Sequence, residues 1–178
     1  MRPLFTVYAG EFLVGDYINR KLDRQFDVWV PTKDSGVDLL VTRKRHTGKP
    51  VRLQVKFSRS FDIREELTRH VVATSWFRLE PSKIRTSLAD VWIFVILTLR
   101  HEEHFVVIPK RELQKRIPRN PGKRWDLYLW VYDDGCCYQV RDLNTEDKLD
   151  TIHRGVRDAR RDFSECLENW AVLEKLSR

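Results

Sequence analysis

The sequence predicts an α/β fold: a helix, several strands, a short helix, more strands and a closing helix, built around one mixed central β-sheet flanked by α-helices. Three observations carry that prediction. Apolar residues recur at helical spacing near both ends of the chain. Runs with strict alternation or unbroken apolar character fill the middle. Proline, glycine and Asp-Gly signals separate those runs. The 178 residues suit one domain over 1–178 and are too few for two ordinary ones.

Each element has its own reason. Thr6 to Leu22 reads as a helix with Thr6 as its cap. Asp27 to Val30 is a short strand ended by Pro31. Val37 to Thr42 and Pro50 to Ser58 are strands joined by a basic turn containing Gly48. Pro81 to Leu88 forms a short helix and leads into a buried strand at Val91 to Leu99. Phe105 to Ile108 is a further strand, and Pro109 opens a helix through Ile117. His101-Glu102-Glu103-His104 lacks the spacing of a helical zinc motif and reads as a polar hairpin turn. Leu127 to Tyr132 and Cys136 to Val140 flank Asp133-Asp134-Gly135, a hairpin signal. A long helix from Thr151 to Leu176 closes the chain, with Ile152, Val156, Ala159, Phe163, Leu167, Trp170 and Leu173 on its apolar side. Trp76, Trp92, Trp125, Trp130 and Trp170 read as core or interface residues.

Composition excludes several classes. With 42% hydrophobic and 33% charged residues, the chain is globular rather than disordered. No apolar run reaches the roughly 18 residues of a membrane span, and Glu11 and Asp16 interrupt any export signal. Three cysteines, two of them adjacent, make neither a disulfide framework nor a CxxC site. A reducing, cytoplasmic setting is expected.

Charge points toward a partner. Lys and Arg total 33 against 26 Asp and Glu, for a net charge of +7. Arg, the side chain that grips phosphate through a planar fork, outnumbers Lys by 22 to 11. The basic residues cluster. Arg43, Lys44, Arg45, Lys49 and Arg52 occur without an intervening acid. Lys110, Arg111, Lys115, Arg116, Arg119, Lys123 and Arg124 are accompanied by Glu112 alone. Arg154, Arg157, Arg160 and Arg161 would line one side of the closing helix. Any one cluster reads as a solvated face; three together point to nucleic acid.

Three anomalies suggest chemistry. Glu11 falls in the apolar stripe Val7, Val14, Ile18 and Leu22 of the first helix, where a carboxylate needs a partner unless it sits at the stripe's edge. Asp38 lies in Val37-Asp38-Leu39-Leu40-Val41, although Asp is disfavoured in strands; the alternative is a strand that begins only at Leu39. From Val51 to Ser58 the alternation is unbroken, so Arg52, Gln54, Lys56 and Ser58 share a face. Gln54 and Lys56 are then neighbours about 7 Å apart. Alone, that strand also fits an antiparallel strand with a solvated outer face.

Glu11 on the first helix, then Gly36-Val37-Asp38-Leu39-Leu40-Val41, a basic turn and Gln54-Val55-Lys56 resemble, in that order, the PD-(D/E)XK nuclease superfamily. The likeness spans Thr6 to Ser58 and is nearest to its restriction-like, homing-endonuclease-like and Holliday-junction-resolvase-like branches. It implies a restriction-endonuclease-like fold and a metal-dependent DNA endonuclease, and a homo-oligomer by analogy with the many relatives that dimerise to cut two strands. It also implies a Mg²⁺ ion, with Mn²⁺ as substitute, held by Asp38, the side-chain oxygen of Gln54, the carbonyl of Val55 and Glu11, directly or through water. Lys56 would orient the attacking water, help deprotonate it or stabilise charge on the phosphate. DNA would be held by the basic clusters, namely Arg43, Lys44, Arg45, Lys49, Lys115, Arg116, Arg119, Lys123, Arg124, Arg154, Arg157 and Arg161. The chain departs from the pattern in two ways. Gln54 replaces the usual acid, as in some active branches, and the proline before the motif Asp is missing. The rival expectation is a nuclease-like domain that binds nucleic acid without cutting it.

Overall fold

One pair of parallel strands organises the molecule. A computed structural model describes residues 8–32, 36–45, 48–61, 69–98, 100–118 and 122–177, with His153 described by its backbone alone. Helix α1 (Ala9–Lys21) leads into β1 (Phe26–Trp29), β2 (Leu39–Arg43) and β3 (Val51–Arg59). Next come β4 (Val71–Thr74), β5 (Phe77–Leu79), helix α2 (Pro81–Thr86), β6 (Val91–Leu97) and β7 (Glu103–Pro109). The chain continues through α3 (Lys110–Arg116), β8 (Trp125–Leu127), β9 (Leu129–Tyr132), β10 (Cys137–Gln139), α4 (Thr145–Arg154) and α5 (Ala171–Leu176). The five-stranded sheet runs β1-β2-β3-β6-β7. Only β3 and β6 pair in parallel; every other neighbour is antiparallel. The mixed α/β class is as predicted. Smaller sheets, β10-β9-β4 and β5-β8, complete the fold.

Alternation divides the central sheet into two faces. Leu53 and Val55 of β3 join Val91, Ile93 and Val95 of β6 beneath Val14 and Ile18 of α1. On the other face, Trp92, Phe94 and Ile96 pack with Phe77, Leu79, Ile84, Leu113, Trp125 and Leu127. Strand β6 is buried on both faces, which explains its continuous apolar run. Each fully enclosed Ile, Leu or Phe contributes about 1.5–3 kcal/mol of transfer free energy. Helix α1 lies unusually close to β3 because position 10 is glycine. A Cβ there would come within 2.8 Å of Phe57 Cβ and 3.2 Å of Val55 Cγ1.

The C-terminal segment departs from the expected long helix. Asn144 caps α4 by accepting from Asp147 N–H at 2.8 Å, so the helix starts before Thr151. Gly155, at φ +67°, then ends it. Short 3₁₀ turns at Ala159–Arg161 and Ser164–Cys166 follow, before α5. Arg154, Arg157, Arg160 and Arg161 therefore do not line one helix face. Phe163 and Trp170 still reach the core, but from irregular backbone. Of the core and interface alternatives for Trp76, core does not hold, since it is 44% exposed. Of the two starts considered for the second strand, the later one holds, and β2 begins at Leu39 with Asp38 just before it. The expected cap Thr6 and the stripe residue Val7 lie outside the described residues. No helix among the described residues is long and apolar enough to cross a membrane.

Candidate active site

The turn before β2 delivers a carboxylate to the edge of β3. Gly36 takes φ +75°, a conformation that strains any residue with a Cβ. Val37 is buried and anchors the turn. Asp38 then donates its N–H to the Leu53 carbonyl at 2.8 Å. Its Oδ2 accepts the Val55 N–H at 2.6 Å and the Gln54 side-chain amide. The carboxylate thus fills the ladder position that a longer β2 would have filled with a carbonyl. In a strand, a residue's N–H and C=O point to the same side, and successive residues alternate. The Val55 carbonyl therefore lies on the same edge as Asp38. Sequence positions 38, 54 and 55 meet at one point.

Gln54 is buried and sits beside Trp92 of β6 in the parallel register; Lys56 sits beside Phe94. A simply solvated outer face does not describe this strand, since only its ends, Arg52 and Arg59, are exposed. Gln54 and Lys56 line a cleft of about 350 Å³ together with Gly36, Arg78, Glu80 and Trp92. The Lys56 ammonium lies 5.9 Å from the Trp92 ring centroid. Trp92 Nε1 is buried and has no hydrogen-bond partner among the described residues. Two residues before Gln54, Arg52 grips Asp90 through two bonds of 2.8 and 3.0 Å. Burial works against the Asp90 carboxylate, but its Arg52 bonds outweigh that and hold its pKa below the ordinary value. Arg52 is therefore committed to tying β3 to the start of β6.

Glu11 approaches from the other side. Helix α1 covers the Val55–Phe57 face of β3, opposite Gln54 and Lys56. The Glu11 side chain is half-buried, and its Oε2 accepts the Tyr8 N–H at 3.2 Å, closing the first turn of the helix. It is an N-terminal capping group on the helix whose Gly10 touches Val55.

No family model, curated protein or solved structure matches the chain. Its function must be argued from its own groups. Among the described residues no three His, Cys, Asp or Glu side chains cluster as a metal site. The groups at the β3 edge are instead the Asp38 carboxylate, the main-chain carbonyl of Val55 and the Gln54 amide, whose nitrogen is turned toward Asp38 and whose oxygen would complete the set once the amide is flipped. All three then offer hard oxygens, the type that Mg²⁺ takes. The set fits a cation that draws its remaining ligands from water and phosphate. Burial pushes the Cys137 thiol far up and Cys166 to about 11, which disfavours the reactive thiolate at both positions.

Many arginines and lysines of the basic clusters are engaged with the protein itself. Arg116 donates to the Asp162 carbonyl at 3.0 and 3.2 Å and lies 5.0 Å over the Phe163 ring. Arg161 donates to the carbonyls of Gln139 and Arg141 at 3.1 and 2.7 Å. Arg160 pairs with Asp158 at 2.7 Å, Lys44 with Asp23 at 2.8 Å, and Lys115 with Glu112 at 2.7 Å. Arg154 lies 3.8 Å from Asp150. Arg45, Lys49, Lys123, Arg124 and Arg157 are exposed, and Arg43 is half-buried. Arg119 lies outside the described residues. Sequence reasoning missed Arg78, Glu80 and Trp92 as cleft residues. The alternation of Trp76 and Arg78 with Phe77 and Leu79 was the available signal.

Proposed function

We propose that the protein is a metal-dependent nuclease of restriction-endonuclease-like type, hydrolysing phosphodiester bonds in DNA at the cleft lined by Gln54 and Lys56, next to the Asp38 carboxylate. The observation that carries this reading is the junction at the β3 edge. The Asp38 carboxylate holds both Gln54 and the Val55 N–H, and Lys56 follows on the Gln54 face. A mixed central sheet flanked by helices is the coarse architecture the resemblance implies, and the sheet β1-β2-β3-β6-β7 is compatible with it.

In hydrolysis a water oxygen bonds to phosphorus, the bond to the leaving oxygen breaks, and the leaving oxygen gains a proton. A bound Mg²⁺ would supply charge neutralisation and an activated water. Asp38, Gln54 through its amide oxygen, and the Val55 carbonyl would hold it. The side-chain amide of Gln54 can turn about its last bond to present oxygen or nitrogen. Lys56 offers an ammonium group at the cleft, where it stabilises charge developing on the phosphate. With a single strand carboxylate, the ion depends on the phosphate for added charge, so metal and DNA bind together.

A second reading is favoured by one detail. The Asp38 Oδ2 already has two donors, which suits a domain that binds nucleic acid without cutting it. Plasmid and single-stranded DNA, incubated with Mg²⁺, Mn²⁺ or EDTA, separate the two. Metal-dependent cleavage that Asp38→Ala and Lys56→Ala each abolish is expected. Absence of cleavage in wild type and in Gln54→Glu transfers the conclusion to the binding domain.

A further inference from the structure

The ribbon β5-β8 has an inner face of Phe77, Leu79, Trp125 and Leu127, all buried. Its outer face, by the same alternation, carries Trp76, Arg78, Asp126 and Tyr128. Arg78 and Asp126 are paired across the ribbon. Trp76 stacks on Tyr128 at 5.9 Å between centroids and 23° between planes. Tyr128 meets Phe61 edge-on at 6.3 Å. Two guanidiniums join this row, Arg78 at 5.0 Å over Trp76 and Arg141 at 5.2 Å over Tyr128. Asp126 holds the group in place: it accepts from Trp76 Nε1 at 3.3 Å and from Arg78 Nε at 3.1 Å, and lies 3.5 Å from Arg141.

A row of aromatic rings left in solvent is unusual in a chain with this much core to fill. Trp76 is 44% and Phe61 38% exposed. The row is also continuous with the cleft. Ser58, on the Gln54–Lys56 face of β3, accepts the Trp76 N–H at 3.1 Å, and Arg78 lines the cleft with Gln54 and Lys56.

We infer that this outer face is a stacking platform for unpaired bases, so that the cleft acts on single-stranded DNA. The inference rests on the nucleic-acid reading of the adjoining cleft. Aromatic faces hold bases of any sequence by stacking, and guanidinium planes stack on bases as well as pairing with phosphate. Paired bases in a duplex hide their faces within the helix and cannot use such a row. Two arginines against one aspartate leave the platform positive, complementary to a phosphate backbone.

Fluorescence anisotropy of the full-length protein with a labelled oligonucleotide, single-stranded or annealed, in EDTA, provides the test. The single strand binds about tenfold more tightly than its duplex at equal salt. Trp76→Ala removes about tenfold of the single-strand affinity and leaves duplex binding within about threefold. Arg78→Gln, at a half-exposed side chain, loses about fivefold and carries the test should Trp76→Ala melt early. Equal binding of both forms overturns the inference, as does single-strand affinity unmoved by folded Trp76→Ala or by Arg78→Gln. The cleavage assay fails separately. Trp76-dependent binding without any cleavage ends the nuclease reading and keeps the platform; cleavage of DNA with Trp76-independent binding does the reverse.

Discussion

The polar face of β3 and the arginine-rich segment from Arg154 to Arg161 contain similar residues and use them in opposite ways. On β3, Gln54 and Lys56 are carried by a regular strand and directed into an open cleft. In the C-terminal segment, Arg160 and Arg161 are drawn back to Asp158 and to the carbonyls of Gln139 and Arg141. Irregular backbone leaves carbonyls without ladder partners, and nearby guanidiniums satisfy them. A regular strand satisfies its own backbone, so its side chains are not drawn back to its own carbonyls, and Lys56 is left directed into the cleft. Positive charge alone therefore does not locate a binding site.

The largest expected effect breaks the comparison at β3. Lys56→Ala lowers the cleavage rate by about 10²–10⁴-fold, the range of a positioned catalytic group. Its melting temperature stays near wild type, because Lys56 carries no structural hydrogen bond among those described. Similar loss of stability and activity would return Lys56 to a packing role.

Arg116→Ala tests the opposite assignment. Two charge-assisted bonds to the Asp162 carbonyl and the contact with Phe163 are lost, at a cost of about 2–3 kcal/mol. Urea unfolding reads that loss, while DNA affinity of the folded protein is unchanged. A fall in affinity without a fall in stability would restore Arg116 to the DNA-binding set. Gly10→Ala forces α1 away from Phe57 and costs about 1–3 kcal/mol by overpacking. Because Glu11 moves with it, residual cleavage at constant folded fraction shows whether that carboxylate takes part.

Smaller still is the replacement of exposed Arg157 by Ala. Stability stays within about 0.5 kcal/mol, and the slope of log affinity against log salt falls by at most about one phosphate contact. The smallest effect is a pH dependence at Glu168, whose carboxylate accepts from Phe105 N–H at 2.7 Å and Trp170 Nε1 at 3.1 Å. Burial raises its pKa above 4.5, more than those bonds lower it. The associated stability is fully present below the unfolded value and is lost as pH rises through the folded one. Melting temperature against pH should fall less steeply across that window in Glu168→Gln; equal slopes would refute the assignment.

The same contrast explains what could be read from the sequence. Strand alternation fixes a side chain's face from its immediate neighbours, so Gln54 and Lys56 were legible together. From its neighbours Asp38 was legible only as an anomaly; its grouping with Gln54 and Val55 came from the resemblance alone, because its bonds to them cross the chain. The apolar spacing from Ile152 to Leu173 matched a helix although the chain there turns repeatedly. Gly155 was the local signal against one long helix, and Asn144 the signal for an earlier start. Tryptophan identity left core and interface open at position 76; alternation with the buried Phe77 and Leu79 decides that Trp76 and Arg78 face outward.

The parallel pairing of β3 with β6 also has a kinetic consequence. Its contacts join residues such as Arg52 and Asp90, 38 positions apart, through a crossover containing β4, β5 and α2. Loop-closure entropy must be overcome before any of these contacts forms, so the pair assembles late and slowly. The cleft exists only once Gln54 stands beside Trp92 and Arg78 has been carried over it by the crossover. No partly folded chain can hold it. Acquisition of ligand binding during refolding will therefore track the slowest step, and hydrogen exchange at the Val55 amide will report global unfolding rather than local opening.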